Sequence, residues 1–228
     1  MKPVGRASVR RVVRRGKPRL LLSGALVSLV GYLALAVFAA QQQFMALDYG
    51  TRAWVRLLRY EALNLPMEMV TTLGGLGLIA LIAIALPILW RVNRRWAMAL
   101  PVLMAGAGAL QWVAKAASGL ARPNHAPWGF PSGHVLSLVV FFGLMIYLIA
   151  TASSRRRRWR VLASLVAATP VAVVAFSRLY LDKHWLSDLA GGLTIGACYL
   201  LLAIWIVEVV MTQSPAPAPA DSTAPDER

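Results

Sequence analysis

The chain has 228 residues, of which 58% are hydrophobic and 14% charged, against about a quarter charged in an ordinary soluble domain. Its formal net charge is +15, from 24 Lys and Arg against 9 Asp and Glu, so a membrane or a nucleic acid fits until the charges are located. The single cysteine, Cys198, excludes an intramolecular disulfide and argues against a Cys-based metal site.

Residues 1–19 form a basic segment holding Lys2, Arg6, Arg10, Arg11, Arg14, Arg15, Lys17 and Arg19. Six apolar stretches follow, at residues 20–40, 67–90, 96–115, 134–151, 159–177 and 185–211. Each approaches the roughly 20 residues that cross a hydrocarbon core. Helices are expected, because backbone polar groups in lipid must be satisfied within the segment. Residues 20–211 are therefore read as one all-α bundle of six spans. The first stretch also has the basic flank of a signal peptide and small residues at Ala39 and Ala40. Its apolar run exceeds the roughly 7–15 residues of a typical signal core, so an uncleaved anchor is expected. Cleavage would leave the sidedness of everything downstream unchanged.

Between the first two spans, residues 41–64 place Trp54, Leu57 and Leu58 at helical spacing beside Arg52, Arg56 and Arg59, as in a short helix lying in the interface. Asp48 reads as a turn residue. Pro87, Pro101 and Pro170 fall inside spans and are expected to kink rather than end them. Gly192-x-x-x-Gly196 and the glycines at 74, 75 and 77 would let helices approach closely. Trp90, Trp96, Trp159 and Trp185 stand at span ends, where aromatic belts form. Residues 212–228, rich in Pro, Ala and acidic side chains from Ser214 on, are expected to be a disordered tail.

The charges then decide. The segment before the first span, the link with Arg91, Arg94 and Arg95, and the link with Arg155, Arg156, Arg157, Arg158 and Arg160 put sixteen basic residues on one side, against seven on the other. Positive residues mark the cytoplasmic face, so both termini are expected inside, in the cell (inner) membrane. The net charge reports topology, and no nucleic acid partner is expected; nor does anything in the sequence require a protein partner.

Three polar segments meet at the opposite, outer face: Lys115 to Arg122-Pro123, then Pro131-Ser132-Gly133-His134, then Ser177-Arg178 followed by His184 and Asp188. They match, residue for residue and in spacing, the signature of the type 2 phosphatidic acid phosphatase family, which also contains soluble acid phosphatases and vanadium haloperoxidases. The similarity runs from about residue 47 to residue 196, and the six spans resemble the bacterial lipid phosphatases of the family. Only seven residues separate Arg122-Pro123 from Pro131, which implies a small outer lid, and Asp182 stands where many relatives carry glycine.

The residue types make the same sense chemically. A phosphate monoester carries up to two negative charges, and its transition state spreads them over three equatorial oxygens. Lys115, Arg122 and Arg178 supply cations, and arginine adds a planar fork that suits phosphate. Ser132 can donate a hydroxyl hydrogen bond, and the backbone N–H groups of Gly133 and His134 lie where a helix begins. The resemblance implies the same phosphate pocket. His184 and Asp188, four apart, share a helix face; the carboxylate can hold one ring nitrogen and leave the other to attack. His184 is expected to be the nucleophile and His134 the acid, then base, as the resemblance also implies. No metal or other cofactor is called for. His125, Asp182, Lys183 and Glu68 are read as solvated or interfacial.

The expected activity is an outward-facing lipid phosphate or diphosphate phosphatase, with undecaprenyl diphosphate favoured because that carrier is released on the outer leaflet. Phosphatidic acid and phosphatidylglycerol phosphate are the alternatives. A transporter or flippase that binds phosphate without cleaving it is the non-enzymatic reading; it would need the cations but not the histidine pair.

Overall fold

The structure, a computed structural model, describes residues 17–151 and 157–212. The basic residues 1–16, the Arg155–Arg156 part of one link and nearly all of the expected tail lie outside the described residues. In chain order the helices are α1 Lys17–Ala40, α2 Ala46–Leu57, α3 Glu61–Thr71, α4 Leu76–Val92, α5 Arg94–Ser118, α6 Gly133–Thr151, α7 Arg157–Tyr180 and α8 Leu186–Thr212. Among the described residues α1, α5, α6, α7 and α8 are long and apolar enough to cross a membrane alone. The second expected span is corrected: it is α3 and α4 together, bent by 47° at a short break.

That break has a local cause. Gly74, Gly75 and Gly77 follow Thr71 and Thr72, and glycine costs a helix about 1 kcal/mol per residue. The chain tightens into a 3-10 turn at Thr72–Gly74, where the Thr72 hydroxyl donates to the Met69 carbonyl at 2.6 Å. Proline has no such effect here, since α4, α5 and α7 run through Pro87, Pro101 and Pro170. The end of α5 is set by Gly119, which takes a left-handed φ of 60° and returns its N–H to the Lys115 carbonyl.

α8 is the hub of the bundle: α1 and α6 both pack along it, α7 lies against α6, and α4 against α5. Lipid tails are as apolar as leucine, so association rests on close packing. A side chain at Gly192 would place its first carbon 2.5 Å from the Ser132 carbonyl, and at Gly196 3.1 Å from that of Leu136. The glycine pair is thus the surface on which α6 sits. Leu100, Leu136, Leu138, Leu144 and Val174 are fully enclosed between the helices.

Connectivity sorts the helix ends onto two faces. The links α4–α5 and α6–α7, with Arg91, Arg94, Arg95, Arg157, Arg158 and Arg160, occupy one. The end of α5, the ends of α6 and α8 that come first in the chain, the end of α7 and the short helix α2 occupy the other. There Ser118 Oγ donates to Phe130 O at 2.7 Å, and Ser132 N to Asp188 O at 2.9 Å. A short helix, α2, forms where one was expected, with Trp54 and Leu57 exposed outward and Val55 buried inward. Two of the four belt tryptophans need correction: Trp90 and Trp159 are exposed, but Trp96 and Trp185 are buried within the bundle.

Candidate active site

The turn between α7 and α8 carries His184, and the first turn of α8 carries Asp188. Spacing four apart brings His184 Nδ1 to 3.0 Å from Asp188 Oδ2, with both side chains buried. The same oxygen accepts the Trp185 N–H at 2.9 Å. This fixes the carboxylate at the helix N-terminus, where the backbone favours negative charge. The imidazole of His184 is held well below its usual pKa by burial, then by the positive charges of Arg178, Lys115 and Arg122, with a backbone hydrogen bond to Gly129 opposing. Near neutral pH the ring is therefore uncharged.

α6 begins at Gly133, directly beneath this pair. Ser132 is fully buried, and its hydroxyl has no hydrogen-bond partner. A side chain at Gly133 would meet the end of the Gln111 side chain, which would have to move aside. His134, half-buried, projects towards the broken span: a carbon added to Gly74 would lie 2.6 Å from His134 Cδ2. The break therefore provides the space the imidazole occupies.

The three cations come from three elements. Lys115 Nζ, on the last turn of α5, donates to the Trp128 carbonyl at 2.8 Å. Arg122 lies in the α5–α6 loop, whose backbone folds back through Arg122 N to Ala126 O at 2.8 Å and Gly129 N to Leu120 O at 2.6 Å. Arg178, on the last turn of α7, is buried and donates from Nη1 to Thr71 Oγ1 at 3.1 Å. All three lie close enough for their charges to act on His184 and on His134. Arg122 Nε, Arg178 Nε and Asp188 Oδ1 are buried without partners. Buried polar atoms are normally paired, and several unpaired donors around one histidine make a pocket that a tetrahedral anion can complete. Every residue expected at the site, Lys115, Arg122, Ser132, Gly133, His134, Arg178, His184 and Asp188, thus lies in one cluster. Among the described residues no three His, Cys, Asp or Glu side chains come together as a metal-ligand set.

Two acidic residues need correction. Asp48 is not a turn residue: it lies in the first turn of α2, is buried, and accepts from Ser187 N at 2.8 Å, Ser187 Oγ at 2.9 Å and Met45 N at 3.1 Å. Asp182 is not simply solvated: in the left-handed turn (φ 54°) before His184 it meets Arg52 at 2.9 Å, Arg56 at 3.1 Å and Arg59 at 3.2 Å. Burial alone would raise its pKa, but hydrogen bonds from Arg52 and Arg56 and the charges of Arg59 and Arg52 hold it below the usual carboxylate range. A left-handed turn is where glycine is favoured, so the aspartate preserves that geometry by binding three guanidiniums. Thr71 was also missed, since nothing in a threonine beside a glycine run signals an arginine partner on another helix. Glu68 and His125 are exposed, and Lys183 is half-buried.

The PAP2 superfamily profile matches residues 96–211. Phosphatidylglycerophosphatase B of Bacillus subtilis (strain 168) is 24% identical over 184 residues, covering 75% of this chain and 88% of that protein. Lipid phosphate phosphatase delta of Arabidopsis thaliana is 31% identical over 84 residues, 36% of this chain but only 20% of the plant protein. The crystal structure of a transmembrane PAP2-type phosphatidylglycerolphosphate phosphatase from Bacillus subtilis superposes with a TM-score of 0.68 at 23% identity, covering 86% of this chain and 98% of that one. It shares the fold.

Proposed function

The chain belongs to the PAP2 superfamily and is a membrane hydrolase of lipid phosphoric esters, and from that premise we propose that it works through a phosphohistidine on His184. The observation that carries this reading is the set of buried, unpaired polar atoms, Ser132 Oγ, Arg122 Nε and Arg178 Nε, around an imidazole that a carboxylate holds at 3.0 Å. A binding site alone would need the cations but no oriented, neutral imidazole.

In the first step the lone pair on the second ring nitrogen of His184 attacks phosphorus, and the bond from phosphorus to the lipid oxygen breaks. Charge on the equatorial oxygens is met by Lys115, Arg122, Arg178, the Ser132 hydroxyl and the first N–H groups of α6. His134, which takes up a proton when the negative charge of the phosphate fills the pocket, gives that proton to the departing lipid oxygen. In the second step His134 takes a proton from water, the water oxygen attacks phosphorus, and the P–N bond breaks. Inorganic phosphate leaves and His184 returns to its starting form. Asp188 keeps its partner ring oriented throughout and stabilises the positive charge that develops on it.

The name of the Bacillus relative supports phosphatidylglycerol phosphate as a substrate. A second reading, undecaprenyl diphosphate, is favoured by the positive surplus beside the site, where three arginines surround the single carboxylate of Asp182. The excess of basic residues on the opposite face supports a pocket that opens outward from the cell membrane. Phosphate release from phosphatidic acid, phosphatidylglycerol phosphate and undecaprenyl diphosphate by the purified full-length protein tests the proposal. Turnover of at least one lipid, blocked by vanadate and lost in His184→Ala, is expected. Undiminished release by His184→Ala would contradict it.

A further inference from the structure

The catalytic turn is gripped from outside by a helix that contributes nothing to the phosphate pocket. α2 turns one stripe inward, Asp48, Arg52 and Val55, with Arg59 just beyond its end, and its Leu47, Trp54 and Leu57 side chains outward. Arg52 reaches the segment before His184: its Nε donates to Asp182 Oδ1 at 2.9 Å and its Nη2 to Asp182 Oδ2 at 3.2 Å and Pro123 O at 2.9 Å. Its guanidinium also lies 5.1 Å from the centre of the Trp185 ring. Asp48 reaches the segment after His184, taking both the N–H and the hydroxyl of Ser187.

The Asp48 contact solves a problem specific to this helix. The first N–H groups of a helix lack internal partners and are usually met by a local Ser, Thr, Asp or Asn cap. Here the residue preceding α8 is Trp185, which has no acceptor. The local carboxylate, Asp188, already accepts from Trp185 N while also holding His184 through the same oxygen. Left uncapped, the Ser187 N–H would be free to draw on that carboxylate, whose second oxygen, Oδ1, has no partner. The long-range carboxylate of Asp48 removes the competition, and its own burial ensures that water does not replace it.

We propose that Asp48 is a positioning residue: it caps α8 from the interfacial helix and so leaves Asp188 committed to His184. This rests on the reading of His184 as the reacting group. Asp48 touches neither substrate nor imidazole, so its loss should slow the chemical step without weakening lipid binding.

The test uses the full-length protein in lipid nanodiscs, with the lipid it turns over fastest, and compares Asp48→Asn, Ser187→Ala, Ser187→Thr, the pair Asp48→Asn with Ser187→Ala, and His184→Asn. Asparagine keeps one acceptor but replaces the other by an NH2 group that cannot accept. Asp48→Asn should lower kcat by about tenfold to a hundredfold, the scale of an ångström-size misplacement, with KM within about twofold. Ser187→Ala should lower kcat by about fivefold, the scale of one lost hydrogen bond; Ser187→Thr should restore it. The double variant should be no slower than Asp48→Asn alone, because both act through one contact. A kcat for Asp48→Asn within twofold of the parent, or a loss confined to KM, overturns the proposal. Should Asp48→Asn not yield folded protein, the Ser187 pair decides: equal rates for the alanine and threonine variants overturn it. Hydrolysis surviving in His184→Asn would instead overturn the underlying site, whatever Asp48→Asn does.

Discussion

The pKa of His184 has a direct kinetic consequence. Attack requires the neutral ring, and burial together with Arg178, Lys115 and Arg122 keeps it neutral well below the ordinary imidazole value. The acid limb of kcat/KM that belongs to His184 should therefore lie below about pH 6.5, the unperturbed value; a limb at or above that value would contradict the assignment. The sign for stability follows from the same shift. Below about pH 6.5 the unfolded chain binds this proton and the folded chain does not, so stability falls as pH drops through that range. His134 is tested by the leaving group. A departing phosphate monoester needs less protonation than an alkoxide, so His134→Ala should slow hydrolysis of phosphatidic acid by about a hundredfold or more and that of a lipid diphosphate distinctly less. Equal losses on the two substrates would remove His134 from the role of acid.

At the level of elements, the broken span makes the site possible. Gly74 faces His134 so closely that an added carbon would sit 2.6 Å from the ring, too near for any real contact. Gly74→Ala should cut activity at least tenfold by displacing His134, whereas Gly108→Ala, with nothing within 4 Å, should leave it unchanged; measured rates for the two variants check this. The spans themselves were legible in the sequence, because lipid allows few alternatives to a continuous apolar helix. The pocket residues were legible for a different reason: fixed spacing, with Lys115 and Arg122, or His184 and Asp188, within a turn or two of one another. The break was not, since a glycine cluster reads equally as a packing surface or an interruption. Asp48 was hidden because its partner, Ser187, lies 139 residues away; local pattern cannot reveal a cap supplied by another helix. Asp182 was hidden likewise, as its three arginine partners lie on or just after α2.

For the whole molecule, the two faces differ in charge and in chemistry. The pocket lies opposite the links rich in arginine, and positive residues mark the cytoplasmic face, so an outward-facing pocket is expected. Cys198 is the chain's one cysteine and is buried, which leaves the surface free for introduced thiols. A membrane-impermeant maleimide applied to spheroplasts should label Asn124→Cys, in the pocket loop, but Arg94→Cys only after lysis; the reverse pattern would invert the topology. Rapid quenching of the enzyme with a lipid labelled in the transferred phosphate traps the proposed covalent bond between phosphorus and the His184 ring. An acid-labile, base-stable phosphoprotein that maps to His184 and is absent from His184→Asn is the expected result. Undiminished labelling of His184→Asn, or turnover by the parent with label on another residue, would contradict it.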